Sequence, residues 1–202
     1  MTVYVESNFV LERALEQEQS DSCSEIMDLA SKGSLQLAVP AFSLAEPHDA
    51  ISRKEAARSR LSGDLRSHLT ELGRSKPHRA IPASFDTLAE VLISNARQER
   101  EGLRSTVTEL LRLADIISLD ALVLKSGAEI QVEYGLSGQD AIVLASVLAH
   151  LDDTKPDESC FLNRNAKDFD DPNIRESLNA RGCKFFSNFS EGLRYIKSRI
   201  QI

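Results

Sequence analysis

Apolar residues along the chain follow two kinds of pattern. Short runs rich in β-branched or aromatic residues, bounded by turn or helix signals, occupy residues 3–5, 35–39, 160–162 and 184–186 and predict strands. Stretches with helical spacing separate them. The first covers residues 8–31, with Leu11, Leu15, Ile26, Leu29 and Ala30 on its buried side, Gly33 as its cap, and the acidic, Gln-rich piece 16–21 as a break. Two further helical patterns fill the middle, one carrying Leu61, Leu65, Leu69 and Leu72, the other Leu88, Leu92, Leu103, Val107, Leu110 and Ala114. The stretch 76–82, with Pro77 and Pro82, joins them. Helices are also expected over 120–134, 140–151 and 172–180, with a polar loop at 152–158. Because AIVLASVLAHL is apolar nearly all round, the helix at 140–151 should lie inside the domain. Strands alternating with helices predict βαβ units and a parallel sheet covered on both faces, an α/β three-layer domain.

Composition narrows the picture. With 202 residues and 42% hydrophobic, the chain can bury a substantial core as one domain, and it shows no repeat or linker. A net charge of −7 excludes a protein coated in positive charge to hold nucleic acid non-specifically. Residues 53–79 run the other way, with eight Lys or Arg against three Asp or Glu. That segment reads either as a solvated helical face or as a patch contacting a polyanion backbone, whose binding would fall steeply with salt. No apolar run approaches the roughly 20 residues a spanning helix needs, and MTVYVESNF lacks a basic leader, so the expectation is a soluble cytoplasmic protein with no membrane contact. Cys23, Cys160 and Cys183 have no metal-like spacing and read as buried thiols. His48, His68, His78 and His150 share no ligand spacing and read as helix-surface or loop residues.

The chemistry lies in the acids. Glu6 follows VYV, Glu46 follows LAVPAFSLA, Asp140 opens DAIVLAS, and Asp168 follows CFLNRNAK. In an open α/β sheet the carboxyl ends of the strands form the ligand crevice, so distant side chains converge there. Carboxylates about 4 Å apart repel by roughly 4 kcal/mol at an effective dielectric near 20, so a cluster requires cations or protonation. Oxygen ligands alone favour Mg²⁺ or Mn²⁺ over zinc, and such ions suit in-line attack on a phosphodiester. Each acid also has a plain structural reading. Asp140 stands three residues after Ser137 and Glu46 three after Ser43, the spacing of a capping box; Glu6 and Asp168 read as surface residues; Asp171 before Pro172 reads as an N-cap.

VYVESNF, SLAEP, GLSGQDAIVLAS and FLNRNAKDF, in this order, resemble the motifs of the PIN-domain family of metal-dependent ribonucleases, which includes the VapC-type toxins. The resemblance covers both ends and the 130s to 180s, and implies a three-layer α/β/α PIN-like domain with a central parallel sheet. Residues 53–115 form a long helical insertion in that frame. By the same resemblance, Glu6 stands where the family has its first Asp, Glu46 matches its helical Glu, Asp140 its third acid and Asp168 the acid of the last motif. These four would bind Mg²⁺ or Mn²⁺ and carry catalysis. Asn8, Asn163 and Asn165 fall at supporting positions. Arg164 and Lys167 read either as phosphate contacts or as ordinary surface charges. The implied activity is hydrolysis of RNA, bound single-stranded or at a loop, with an antitoxin protein and a homodimer as further implied partners.

The sequence departs from the family in three ways. Glu6 is one C–C bond longer than Asp, roughly 1.5 Å. Asn165 offers a neutral oxygen where some relatives supply a charge. The middle of the chain is longer than in compact members. Two other readings compete: a PIN-like RNA-binding or assembly module without turnover, and a doubly wound phosphoacceptor domain, for which no Asp and Lys pair is evident.

Overall fold

A computed structural model describes the backbone of residues 1–78 and 81–200, and the side chains of all of these except 81–93. The elements in chain order are β1 (Thr2–Val5), α1 (Ser7–Ala14), α2 (Ser20–Ser31), β2 (Gln36–Pro40), α3 (Ala41–Leu72), α4 (Ile81–Leu113), β3 (Ala114–Ile117), α5 (Ala121–Tyr134), α6 (Gly138–Thr154), β4 (Ser159–Leu162), α7 (Ala166–Phe169), α8 (Pro172–Asn179), β5 (Cys183–Phe186) and α9 (Phe189–Arg199). A short 3₁₀ turn, Lys76–His78, follows α3. The described residues divide into two compact units, one of Met1–Pro47 with Leu103–Ile202, the other of His48–Gly102.

The first unit is an α/β fold. Its five strands run parallel in the order β3-β2-β1-β4-β5. β1 and β4 are buried along their whole length, as continuous apolar runs in a sheet covered on both sides must be. Register places Phe185, Phe161, Tyr4, Ala38 and Asp115 in one row across the sheet. Ala141, Leu144, Val147 and Leu148 of α6, and Ile174 and Leu178 of α8, pack with the apolar members of that row. Val3, Val5, Leu37, Val39, Cys160 and Leu162 alternate with that row, and they too are buried, as are Phe9, Ile26 and Met27 of α1 and α2 and Phe189 and Ile196 of α9. Helix α9 packs tightly on β4, since a Cβ on Gly192 would stand 2.4 Å from Leu162 Cδ2.

The break expected at 16–21 separates α1 from α2. Helix α2 closes on a Schellman motif: Gly33 takes φ +71°, its N–H donates to the Ala30 carbonyl at 2.9 Å, and the Ser34 N–H donates to Leu29 at 3.0 Å. Ala114, read as helical, instead opens the edge strand β3, where pairing with β2 overrides the helical spacing that precedes it. Helix α6 runs on to Thr154, into the expected polar loop. All three cysteines are buried and free.

In the second unit, Ile51 and Ser62 are buried, and α3 is joined to α4 by Arg58 to Glu99 at 2.8 Å and by the Arg100–Glu55 pair. The expected apolar face of α3 is not the buried one: Leu61, Leu65 and Leu72 are exposed, because the packed side of the helix lies over Ile51 and Ser62. Leu88 and Leu92 lie outside the described residues. No helix among the described residues is long and apolar enough to cross a membrane.

Candidate functional site

The strand order reverses between β1 and β4, and in a doubly wound sheet this switch point opens the crevice at the strands' carboxyl ends. Glu6 directly follows β1 and Asn163 directly follows β4, so the topology itself puts both at the mouth of that crevice.

Glu6 is the N-cap of α1. Its backbone is extended and its Oε1 accepts the Asn8 N–H at 3.0 Å. The residue is only 5% exposed, which corrects the surface reading. Its carboxyl is pushed up to about 8, first by burial; the Asn8 N–H opposes this, and the nearby charges of Glu46 and Asp140 add to it. Those two acids come from remote elements, so the structure gathers three of the four expected acids electrostatically around the end of β1.

Glu46 lies in the second turn of α3, which begins at Ala41, so Ser43 is inside the helix and not its cap. The capping-box reading of Glu46 therefore fails. Its Oε2 instead accepts the hydroxyl of Ser7, the first residue of α1. Ser43 Oγ is fully buried and has no hydrogen-bond partner among the described residues. Asp140 does follow a serine N-cap, Ser137, at the expected spacing. Ser137 Oγ accepts the Asp140 N–H at 3.1 Å and donates to Asp140 Oδ2 at 2.6 Å. That leaves Oδ1 facing Asn165, whose Nδ2 donates to it at 3.4 Å and to Asp168 Oδ2 at 2.8 Å. One carboxamide thus bridges the third and fourth acids.

The three asparagines form the frame. Asn163 is 1% exposed; its Oδ1 accepts the Asn165 N–H at 2.8 Å and the Asn8 amide at 3.4 Å, tying the loop after β4 to α1. Asp171 is an N-cap as expected, accepting from Asn173 N at 2.8 Å, and Asp170 pairs with Arg175, outside the cluster. Arg164 is not turned toward the acids. Its guanidinium, about a third exposed, pairs with Glu12 and Glu18. Lys167 is exposed on α7. His150 is likewise not a surface residue: its Nδ1 lies 2.8 Å from the buried Tyr4 hydroxyl and its Nε2 3.2 Å from Asp115.

Among the described residues no Lys, Arg or His pairs with Glu6, Glu46, Asp140 or Asp168. The donor set is all oxygen, carboxylate and carboxamide, and so suits a hard divalent cation. The arrangement is open: among the described residues no three Asp, Glu, His or Cys side chains surround a single point where an ion would sit. Ser7 and Ser137, which orient Glu46 and Asp140, escaped the sequence reading as site residues, although the Ser137 and Asp140 spacing was its one available signal.

Comparison with family models, with curated proteins and with solved structures finds no match for this chain.

Proposed function

We propose that this chain is a divalent-metal-dependent ribonuclease of PIN-like architecture, with Glu6, Asp140 and Asp168, and Glu46 beside them, as the residues that hold Mg²⁺ or Mn²⁺. One observation carries the reading: at the switch point of a parallel sheet the charges of Glu46 and Asp140 bear on Glu6, the Asn165 amide links Asp140 to Asp168, and among the described residues no Lys, Arg or His pairs with any of the four. A cation held by these carboxylates would supply positive charge for the phosphate and would make water a better nucleophile at neutral pH.

The chain's own groups fix the geometry. Ser137 and Ser7 orient Asp140 and Glu46. Asn8 and Asn163 join the ends of β1 and β4, so that Glu6 and the 163–168 loop keep their spacing. Hydrolysis adds the oxygen of water to phosphorus as one ester bond to ribose breaks; one proton leaves the water and the departing oxygen gains one. Burial and the neighbouring acids push the Glu6 carboxyl up to about 8, so it would release a proton on holding a cation at neutral pH.

A second reading has its own observation. The Asn165 amide already joins Asp140 to Asp168, a neutral bridge in a cation's place, as suits a non-catalytic RNA-binding or assembly module. Incubating the full chain with mixed RNA and Mn²⁺, with EDTA and with the Asp140→Asn variant separates the two. The nuclease reading expects cleavage that EDTA abolishes and that Asp140→Asn lowers by about a hundredfold or more. Equal cleavage by both proteins, or none by either, overturns it.

A further inference from the structure

Beside the acidic cluster lies a second, differently built charge centre. Glu12, in α1, is 1% exposed. One of its oxygens takes the guanidinium of Arg164, 152 residues away in sequence, and the other accepts the Gln19 N–H at 2.5 Å. Arg164 also reaches Glu18 at 3.4 Å. The Gln19 side chain continues outward, accepting the Phe189 and Ser190 N–H groups at 2.7 and 3.3 Å at the start of α9. The segment 15–19 thus links the end of α1, the loop after β4 and the head of α9.

Buried ion pairs contribute little stability compared with apolar residues of similar volume, and their best-attested use is to fix one arrangement among several. The arrangement fixed here is the loop after β4. Arg164 sits between Asn163 and Asn165, the two residues that connect Asn8, Asp140 and Asp168. The loop backbone is otherwise held by the Asn163 N–H to Phe186 at 3.1 Å, the Ala166 N–H to the Arg164 carbonyl at 2.8 Å, and the Asp168 and Phe169 N–H groups to the Asn165 carbonyl at 3.3 and 3.0 Å, none of which reaches back to α1. A guanidinium is a rigid planar fork, so its seat on Glu12 constrains the backbone that carries it.

We propose that Arg164 is a positioning residue: anchored on buried Glu12, it holds the 163–165 loop so that the Asn165 carboxamide stands between Asp140 and Asp168, and thereby sets the cluster's affinity for a divalent cation. The cation part rests on the nuclease reading above; the positioning part does not.

The test uses the full chain and two readouts below its melting temperature. Free Mn²⁺ by electron paramagnetic resonance reports cation affinity, and hydrogen exchange of the Asn165 side-chain amide, by NMR on metal-free protein, reports loop placement. Arg164→Ala and Glu12→Gln are expected to weaken Mn²⁺ binding by about tenfold or more, the scale seen for outer partners of metal ligands, and to remove the protection of the Asn165 amide. Arg164→Lys, which keeps the charge without the fork and guards against a misfolded Ala variant, should fall between. Arg181→Ala, which removes contacts to Asp152 and Ser177 and none to Glu12 or the 163–165 loop, should match wild type in both readouts. Unchanged Mn²⁺ affinity together with unchanged amide exchange in the Arg164 and Glu12 variants overturns the proposal. Should wild type take up no Mn²⁺, the nuclease reading fails while the amide still decides positioning: protection lost only in these variants supports it, and protection kept overturns it.

Discussion

The two ends of α1 treat a buried glutamate in opposite ways. Near the C-terminal end, Glu12 meets an arginine and a backbone N–H, so its charge is compensated where it lies. At the N-terminal end, Glu6 is almost as buried, meets the backbone N–H and side-chain amide of Asn8 but no cation, and faces Glu46 and Asp140. The same fold that brings Arg164 from 152 residues away to neutralise Glu12 brings only more acid to Glu6. Glu12 is built as an anchor, complete in itself. Glu6 belongs to a place left short of positive charge, and the proposed cation binding rests on that shortage.

The comparison can be broken by substitution. The largest effect is expected at Glu6. Burial and acidic neighbours raise its pKa from 4.5 to about 8, so between those values the folded chain holds a proton that the unfolded chain has released. The stability of the neutral form is complete below about pH 4.5 and is lost as pH rises through 8, with a slope of at most about 1.4 kcal/mol per pH unit. Thermal denaturation of metal-free Glu6→Gln should therefore match wild type near pH 4.5 and exceed it clearly by pH 9. Parallel curves across that range would mean that Glu6 is not held neutral by its surroundings. At the other end of the helix the sign reverses: Arg164→Ala strands the buried Glu12 without its cation and should lower stability by about 3 kcal/mol in urea unfolding. A loss no larger than at an exposed pair would remove the contrast.

The smallest effect concerns the backbone that carries Glu12's surroundings. Glu16 sits at the left-handed position just past α1 with φ +48°, and the Gln17 N–H donates to the Glu12 carbonyl at 3.0 Å, the capping geometry that normally takes glycine. Glu16→Gly should stabilise the chain by about 1 kcal/mol in the same assay. A destabilised variant would show that the Glu16 side chain supplies an interaction that outweighs the strain.

β1 and β4 were legible because strands buried on both faces read as short apolar runs, and β2 and β5 because their apolar residues outweigh the exposed Gln36 and Lys184. β3 was hidden because Ala114–Ile117 continues directly from α4 and, at the sheet edge, is only partly buried. Helix α9 was readable in principle from Phe189, Leu193 and Ile196, all buried at helical spacing. Of the candidate acids, Glu6, Asp140 and Asp168 stood out because they follow a strand or open a helix, whereas Glu46 lies in the second turn of α3 and stood out only through the SLAEP resemblance. Their partners did not. Ser7 with Glu46, Arg164 with Glu12, and Tyr4 with His150 are pairs that only the folded topology brings together. His150 shows the limit most clearly, since nothing local distinguishes a histidine inside the fold from one on a helix surface.

Calorimetric titration of Mn²⁺ into the full chain at pH 7, repeated in two buffers of different ionisation enthalpy, addresses the shortage of positive charge at Glu6 itself. The proposal predicts saturable binding with release of a proton, both lost in Asp140→Asn. Absence of binding, or binding that Asp140→Asn leaves unchanged, would contradict it.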